Sequence, residues 1–181
     1  MKKFIKALCF ISVFFILTFV MTSCSGYSFY NDFHGAGADI EKDHIFEVIT
    51  LEEAKAKKEN GDTFVLLYGS SSNVSCVTIV SKLQAQAEYL GNEDAVIYYL
   101  NSKDFTTKEK RDEIRSAIGM RDPSTNGDPI IMTFTAAPTS SRRDVDTSDK
   151  NLSRTKEFMS NSGAIQYSSL ASYIFKEVLA K

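Results

Sequence analysis

Two uncharged runs of residues constrain the fold of this chain more than any other feature of its sequence. Residues 63–68 (Thr-Phe-Val-Leu-Leu-Tyr) and 95–100 (Ala-Val-Ile-Tyr-Tyr-Leu) carry no charged side chain. Such runs are typical of strands that are buried on both faces of a sheet. Between them, apolar residues recur at helical spacing over residues 73–90, and Gly91 follows as a stop signal. The sequence therefore predicts two buried strands joined by a helix.

Shorter patterns on both sides of this unit complete the predicted domain. Thr50 and Glu53 have the spacing of a capping box, which marks the start of a helix. The other predicted elements are an apolar lead-in at 46–49, helices at 51–60, from 106 or 107 to 119 and at 168–179, a strand at 130–134 and an edge strand at 154–159. Residues 136–152 are polar and are expected to form an exposed loop. This order predicts an α/β sandwich with a central mixed β-sheet, in one domain over residues 44–181.

The first 23 residues differ in composition from the rest of the chain. Lys2, Lys3 and Lys6 form a short positive segment without acids, and 14 residues that are nearly all apolar follow from Ala7 to Val20. This run fits the apolar core of a signal peptide, and it is shorter than the roughly 20 residues that a membrane-spanning helix needs. We therefore expect residues 1–23 to be a signal peptide.

The residues that end this leader carry a specific resemblance. Met21-Thr22-Ser23-Cys24 resembles the lipobox of bacterial lipoproteins, in which the cysteine is acylated and the chain is cut just before it. The resemblance implies a mature chain that begins at a lipid-bearing Cys24 and lies on the extracytoplasmic face of a membrane. Each buried CH₂ contributes about 0.8 kcal/mol to anchoring, so two or more acyl chains hold a protein stably.

Residues 24–43 have no sustained period and contain several Gly and Ser residues, which predicts a flexible tether between the anchor and the domain. The tether holds more aromatic residues than a spacer needs, namely Tyr27, Phe29, Tyr30 and Phe33. We expect these rings to pack against the domain or to contact the membrane surface, with a role in ligand binding as the alternative.

The charge of the chain argues against nucleic acid as a partner. Loss of residues 1–23 removes three lysines and no acid, which leaves 18 basic and 23 acidic residues and a net charge of about −5 with His neutral. Binding of nucleic acid requires clustered Lys and Arg, and no such cluster is present. The expected partners are the membrane, through the anchor, and a protein or peptide. The sequence does not indicate an oligomeric state.

The cysteines and histidines do not form a metal site or a disulfide framework. Cys9 lies in the leader and Cys24 carries the lipid, so Cys76 is the only thiol left in the domain. His34 and His44 lie far along the chain from Cys76 and lack metal-ligand spacing. Neither a metal nor a cofactor is expected.

The segment 64–76 (Phe-Val-Leu-Leu-Tyr-Gly-Ser-Ser-Ser-Asn-Val-Ser-Cys) resembles the strand, turn and helix start that carry Cys-x-x-Cys in thioredoxin-like proteins. Gly127-Asp128-Pro129-Ile130 resembles the turn with a cis-proline that faces this motif in the family. The resemblance covers roughly residues 46–181 and implies a thioredoxin-like three-layer sandwich. It also implies a substrate-facing site formed by Asn73, Val74, Ser75 and Cys76 with Asp128 and Pro129.

Departures from the family pattern decide what this site can do. Asn73 stands at the nucleophilic first cysteine and has no thiol, so the two-step disulfide exchange of the family cannot run here. The buried acid of the family is replaced by Leu67, its flanking tryptophans by Gly69 and Ser72, and its helix-kinking proline by Ser81. We read Asn73 as the N-cap of the following helix.

Cys76, at the position of the second cysteine, has several interpretations. It is either an inert buried thiol or a catalytic thiol whose pKa is lowered by the helix N-terminus. A peroxidase-like role and intermolecular pairing also remain open.

Three functions follow from these residues. The first is a membrane-anchored extracytoplasmic lipoprotein whose thioredoxin-like domain is impaired in redox chemistry and binds a protein or peptide. The second is a thiol–disulfide oxidoreductase that acts through Cys76 alone. The third is an accessory protein of a bacteriocin-type export or immunity system, which the residues do not separate from the first.

Overall fold

The computed structural model describes residues 29–121, 123, 128–135, 154–159 and 167–179. For residues 154–159 and 167–169 it describes the backbone alone. The predicted signal peptide, the predicted lipidation site Cys24 and the predicted loop at 136–152 lie outside these residues. Within them, no helix is both long enough and apolar enough to span a bilayer.

A mixed β-sheet forms the centre of the fold. The described residues contribute five strands: β1 Phe46–Val48, β2 Phe64–Gly69, β3 Ile97–Asn101, β4 Ile130–Thr135 and β5 Arg154–Met159. Their order in the sheet is β1-β3-β2-β4-β5, with β1, β3 and β2 parallel and β4 and β5 antiparallel to their neighbours. Both charge-free runs lie at the centre of the sheet, and β5 lies at its edge, as predicted. The lead-in at 46–49 contains a strand, β1, which was not predicted.

Helices cover both faces of this sheet. Beyond a first helix, α1 at residues 29–35, they are α2 Leu51–Glu59, α3 Val74–Leu90, α4 Lys108–Ile118 and α5 Tyr167–Tyr173, with a 3₁₀ turn at Ser102–Phe105 and a π-helical turn at Ile174–Val178. One apolar cluster joins α1, α3 and α5 to one face of the sheet, and a second joins α2 and α4 to the other. The predicted α/β architecture with a central mixed sheet is confirmed.

Local sequence signals account for where these helices begin and end. Thr50 accepts a hydrogen bond from the Glu53 amide, while the Glu53 carboxylate accepts one from the Thr50 amide, so the predicted capping box is present. Gly91 ends α3 in the left-handed conformation, with φ of 66°, which glycine adopts without steric penalty. The last predicted helix differs in one respect. After Tyr173 it widens into the π-helical turn, in which Ile174 and Phe175 are both buried.

The prediction of a flexible tether over residues 24–43 is wrong for the part of it that the structure describes. Residues 29–35 form α1, and the Phe29 and Phe33 side chains are each only 1% exposed. Their rings stack on each other at 4.4 Å between centroids, and both contact Tyr99 of β3 edge-on. The folded domain therefore begins at or before Phe29, well before residue 44.

The spacing of these two aromatic residues explains how this segment packs as a helix. Phe29 and Phe33 are four residues apart, so they lie on one face of a helix and cover the sheet together. The described part of the helix has only seven residues, which is too few for a helical period to show in the sequence. The chain then bends at Gly37, whose φ is 94°. Packing of the expected rings against the domain is confirmed for Phe29 and Phe33.

Candidate functional site

The segment that resembles the redox motif forms a compact turn between β2 and α3. The backbone amide of Asn73 donates to the Ser70 carbonyl at 3.0 Å, which closes the turn. The buried Ser70 hydroxyl lies 2.7 Å from the Ser72 hydroxyl and accepts from the Ser72 amide at 3.2 Å. The serines of the turn therefore hydrogen-bond to each other and hold its shape.

Asn73 is the N-cap of α3, as predicted from its residue type. Its side-chain oxygen accepts from the amides of Ser75 at 2.9 Å and Cys76 at 3.3 Å. Backbone amides in the first turn of a helix have no partner within the helix, so this oxygen satisfies two of them. Asn73 therefore has a structural role at the position of the family's nucleophile.

The side chain of Asn73 also joins two distant parts of the chain. Its amide nitrogen donates to a carboxylate oxygen of Asp128 at 3.0 Å, across 55 residues of sequence. The prediction that Asp128 lies beside the degenerate motif is thereby confirmed. Because Asp128 lies two residues before β4, this bond ties the start of α3 to the segment that leads into that strand.

Pro129 is buried, but the prediction of a cis bond before it is wrong. Within the described residues no peptide bond is cis, so the Asp128–Pro129 bond is trans. Trans is the more stable form of an X–Pro bond by about 0.5–1 kcal/mol. Pro129 leads directly into the extended β4, and Asp128 reaches Asn73 with the trans bond in place.

Cys76 lies in the first turn of α3 and its side chain is 0% exposed. Burial raises the pKa of its thiol to about 12, and a hydrogen bond with the backbone of Ser70 offsets only part of that effect. A thiol with this pKa is protonated at neutral pH, whereas the nucleophile in disulfide exchange is the thiolate. Of the interpretations given for Cys76, burial and the raised pKa favour the inert buried thiol.

The two residues between Asn73 and Cys76 face solvent. Val74 is 80% exposed and Ser75 is also exposed. Val74 thus places a large apolar side chain in water beside the turn. Of the residues predicted to face a substrate, the structure therefore brings Asn73 and Asp128 into contact, buries Pro129 and Cys76, and exposes Val74 and Ser75.

Tyr99 is part of this site and was not predicted. Its hydroxyl donates to the Gly69 carbonyl at 3.0 Å, at the end of β2 where the turn begins. Burial raises the pKa of Tyr99, and nearby Cys76 and then Asp32 raise it further, so its hydroxyl stays protonated and remains a donor. The only signal in the sequence was a tyrosine near the end of a buried strand, where its hydroxyl needs a partner.

No group of three or more potential metal ligands occurs within the part of the chain that the structure describes. A groove of about 310 Å³ lies elsewhere, between α3, β4 and α5. Its lining is mostly apolar and includes Ile79, Leu83, Ile131 and Leu170, and none of the predicted site residues contributes to it. The turn at 70–73 with Asp128 is therefore the candidate site.

Substitution of Asn73 tests the link between α3 and β4. We expect N73A to lower the free energy of unfolding by about 2 kcal/mol, because it removes both the cap and the bond to the Asp128 carboxylate. D128A removes only the second. A double-mutant cycle measured by urea unfolding should give a coupling of about 0.5–2 kcal/mol between the two residues.

The matched control is T50A, which removes the N-cap of α2. Thr50 forms its side-chain hydrogen bonds with Glu53, within its own capping box, so we expect a loss of about 1 kcal/mol. A coupling near zero between N73A and D128A would show that the contact does not stabilise the fold.

Comparison of this chain with protein-family models, with curated proteins and with solved structures gave no match.

Proposed function

We propose that this protein is a lipid-anchored extracytoplasmic protein whose thioredoxin-like domain binds a protein or peptide and does not carry out redox turnover. The proposal depends on the two residues that stand at the cysteine positions of the Cys-x-x-Cys motif. Asn73 is engaged in a cap and a bond to Asp128, and Cys76 is buried with a raised pKa. Without an accessible thiolate, neither half of the disulfide exchange of the family has its reactant.

The sheet order and the position of the turn support the thioredoxin-like part of this proposal. A β2–α3–β3 unit with parallel strands is followed by antiparallel β4, and the turn after β2 lies next to Asp128 before β4. The resemblance implies this arrangement of strand, turn and proline-containing segment. Pro129 departs from it because its peptide bond is trans.

Binding is the function that the surface of the site favours. Val74 places an apolar side chain in water at the start of α3, next to a turn that is held by hydrogen bonds on both sides. A preorganised contact of this kind loses little conformational entropy when a partner binds. Burial of the Cys76 thiol counts against the alternative function as an oxidoreductase. The accessory role in export or immunity remains a prediction.

The reactivity of Cys76 tests the absence of redox turnover. In a soluble chain that begins at Ser25, Cys76 is the only thiol. With a pKa of about 12, about 1 in 10⁵ molecules carries the thiolate at pH 7, so alkylation of the folded protein should be at least about 10³-fold slower than that of the unfolded protein. Insulin disulfides should not be reduced.

The raised pKa of Cys76 makes the stability of the protein depend on pH at alkaline values. The pKa of Cys76 is raised in the folded state, so the folded state holds this proton more tightly than the unfolded state. Stability is therefore constant with respect to this group below about pH 8.5 and decreases as the pH rises from there towards 12.

The matched control is V74C with C76A, which puts the thiol on an exposed position of the same helix turn. Its alkylation should be fast and independent of denaturant. An alkylation pKa below 7 for Cys76, together with glutathione-dependent turnover, would overturn the proposal and favour the oxidoreductase.

Photo-crosslinking tests the binding function itself. A benzophenone side chain at Val74 should capture one defined protein in cells, whereas the same group at Tyr89 should not. Tyr89 is 83% exposed and lies at the other end of α3, so it matches Val74 in exposure but not in position. Equal capture at both positions would show that the turn is not a binding site.

A further inference from the structure

The folded domain begins very close to the proposed lipid anchor. Only residues 25–28 separate Cys24 from Phe29, which is 1% exposed and packed on the sheet. Five steps along a fully extended chain span about 18 Å at most. Phe29 therefore lies within about 18 Å of the acylated residue, whatever path the intervening residues take.

This limit bounds the distance between the bilayer and one side of the domain. Phe29 belongs to the apolar cluster shared by α1, α3 and α5. The α2–α4 layer packs on the opposite face of the sheet. Layers of secondary structure are spaced by about 10 Å, so α4 lies about 20 Å farther from the anchored face than α1 does.

The candidate site lies in the layer that the anchor holds. Asp32, exposed on α1, is close enough to Tyr99 to affect its hydroxyl, and that hydroxyl bonds to Gly69 where the turn begins. Helix α3, which carries Val74, packs in the same cluster as α1. A partner that contacts Val74 must therefore come close to the membrane surface.

The charges around α1 do not by themselves attract the domain to a bilayer. The exposed side chains from α1 to β1 include Asp32, Asp39, Glu41 and Asp43, against a single lysine, Lys42. Anionic lipids repel such a surface, because attraction to them requires clustered Lys and Arg. Among the described residues of this surface, charge therefore does not add to the hold of the lipid anchor.

We propose that the anchor keeps the α1–α3 layer facing the bilayer, so that the turn at 70–73 binds a protein that is itself held in or on the same membrane. This inference rests on the lipid anchor and the binding role given under Proposed function. It adds the orientation of the domain and the location of its partner.

Lipid quenching tests the orientation in the full, acylated protein. A fluorophore is attached at N31C on α1 or at K110C on α4, each in a C76A background, and the lipoprotein is reconstituted in vesicles with a headgroup-labelled quencher lipid. Both positions are exposed and lie on opposite faces of the sheet. We expect quenching to be about twofold or more stronger at position 31, because the tether limits its distance from the bilayer. Equal quenching, or stronger quenching at position 110, overturns the orientation.

Crosslinking from Val74 tests the location of the partner. A C24S chain with an ordinary cleavable signal peptide is exported without a lipid, so it lacks the local concentration that the anchor provides. If the partner is in the membrane, the crosslinked product should fall by about tenfold or more relative to the anchored protein. An unchanged yield shows a soluble partner and overturns the inference.

Separate measurements distinguish a wrong prediction of the lipid anchor from a wrong prediction of the orientation. Mass spectrometry of the mature N-terminus and flotation with vesicles report on acylation without reference to quenching. If the wild-type chain neither carries acyl chains nor floats, the proposed anchoring is wrong and the inference falls with it. If it floats and position 31 is not closer to lipid than position 110, only the orientation is wrong.

Discussion

A soluble chain that begins at residue 44 is expected to lose cooperative folding, whereas one that begins at Ser25 should fold. The shorter chain lacks α1 and with it the Phe29 and Phe33 rings, each 1% exposed. Loss of a buried Phe side chain costs about 3–5 kcal/mol, so the two rings together account for about 6–10 kcal/mol. That is comparable to the whole stability of a typical domain, about 5–15 kcal/mol. Urea unfolding followed by circular dichroism measures the difference.

Two point variants on α1 control for this truncation. F29A should lower the free energy of unfolding by about 3–5 kcal/mol, because its ring stacks on Phe33 and on Phe46. N31A changes an exposed residue on the same helix and should stay within about 0.5 kcal/mol of wild type. If the chain from residue 44 unfolds at the same urea concentration as the chain from Ser25, α1 is not part of the cooperative unit.

Replacement of Asn73 by cysteine is expected to convert an unreactive site into a reactive dithiol. The new thiol would lie at the half-buried N-cap of α3, where the amides of Ser75 and Cys76 now donate to Asn73. Those two amides and the helix N-terminus stabilise a thiolate, which lowers thiol pKa values in such positions to about 3.5–7.5. Its thiolate fraction at pH 7 should exceed that of Cys76 by about 10⁴-fold.

The same variant should form a disulfide with Cys76. Side chains three residues apart in a helix lie about 5–6 Å apart at Cβ, within reach of a disulfide after small adjustment. Mass spectrometry after treatment with oxidised glutathione should show the loss of two protons, and the alkylation rate should give the pKa. D128N in the N73C background should lower that pKa further, because it removes a carboxylate that now lies 3.0 Å from the Asn73 amide nitrogen.

V74C is the matched control for this experiment. It places a thiol on the next residue, which is 80% exposed, at a spacing that does not suit a disulfide with Cys76. It should react with alkylating agents and stay reduced within the chain. If N73C does not form a disulfide in the folded protein, the alignment of the turn with the Cys-x-x-Cys motif is wrong.

Elements with a clear pattern could be predicted from the sequence. The charge-free runs became β2 and β3 at the centre of the sheet, and the amphipathic segment between them became α3. The sequence places five apolar side chains on the inward face of α3; Ile79, Val80, Leu83 and Ala87 are buried, and Leu90 is half-buried. Period and capping residues determine such elements locally, without knowledge of the partner they pack against.

Two short elements could not be predicted because their local signal is weak. β1 has three residues, and only Phe46 among them is buried. It pairs with β3, which lies about 50 residues later in the chain. The described part of α1 has seven residues, and it is held by ring contacts with β1 and β3. Both elements exist because the sheet provides the surface that they cover.

Some properties of the candidate site also follow from the sequence, and others follow only from the tertiary structure. The residue types alone determined that Asn73 can cap a helix, that it cannot act as a thiol nucleophile, and that Cys76 is the only thiol left in the domain. Tertiary structure decided that Asp128 reaches Asn73, that its bond to Pro129 is trans and that the Cys76 thiol is buried. Side-chain chemistry is a property of each residue, so the sequence determines it. Burial and contacts across 55 residues depend on how the sheet assembles, so only the folded chain determines them.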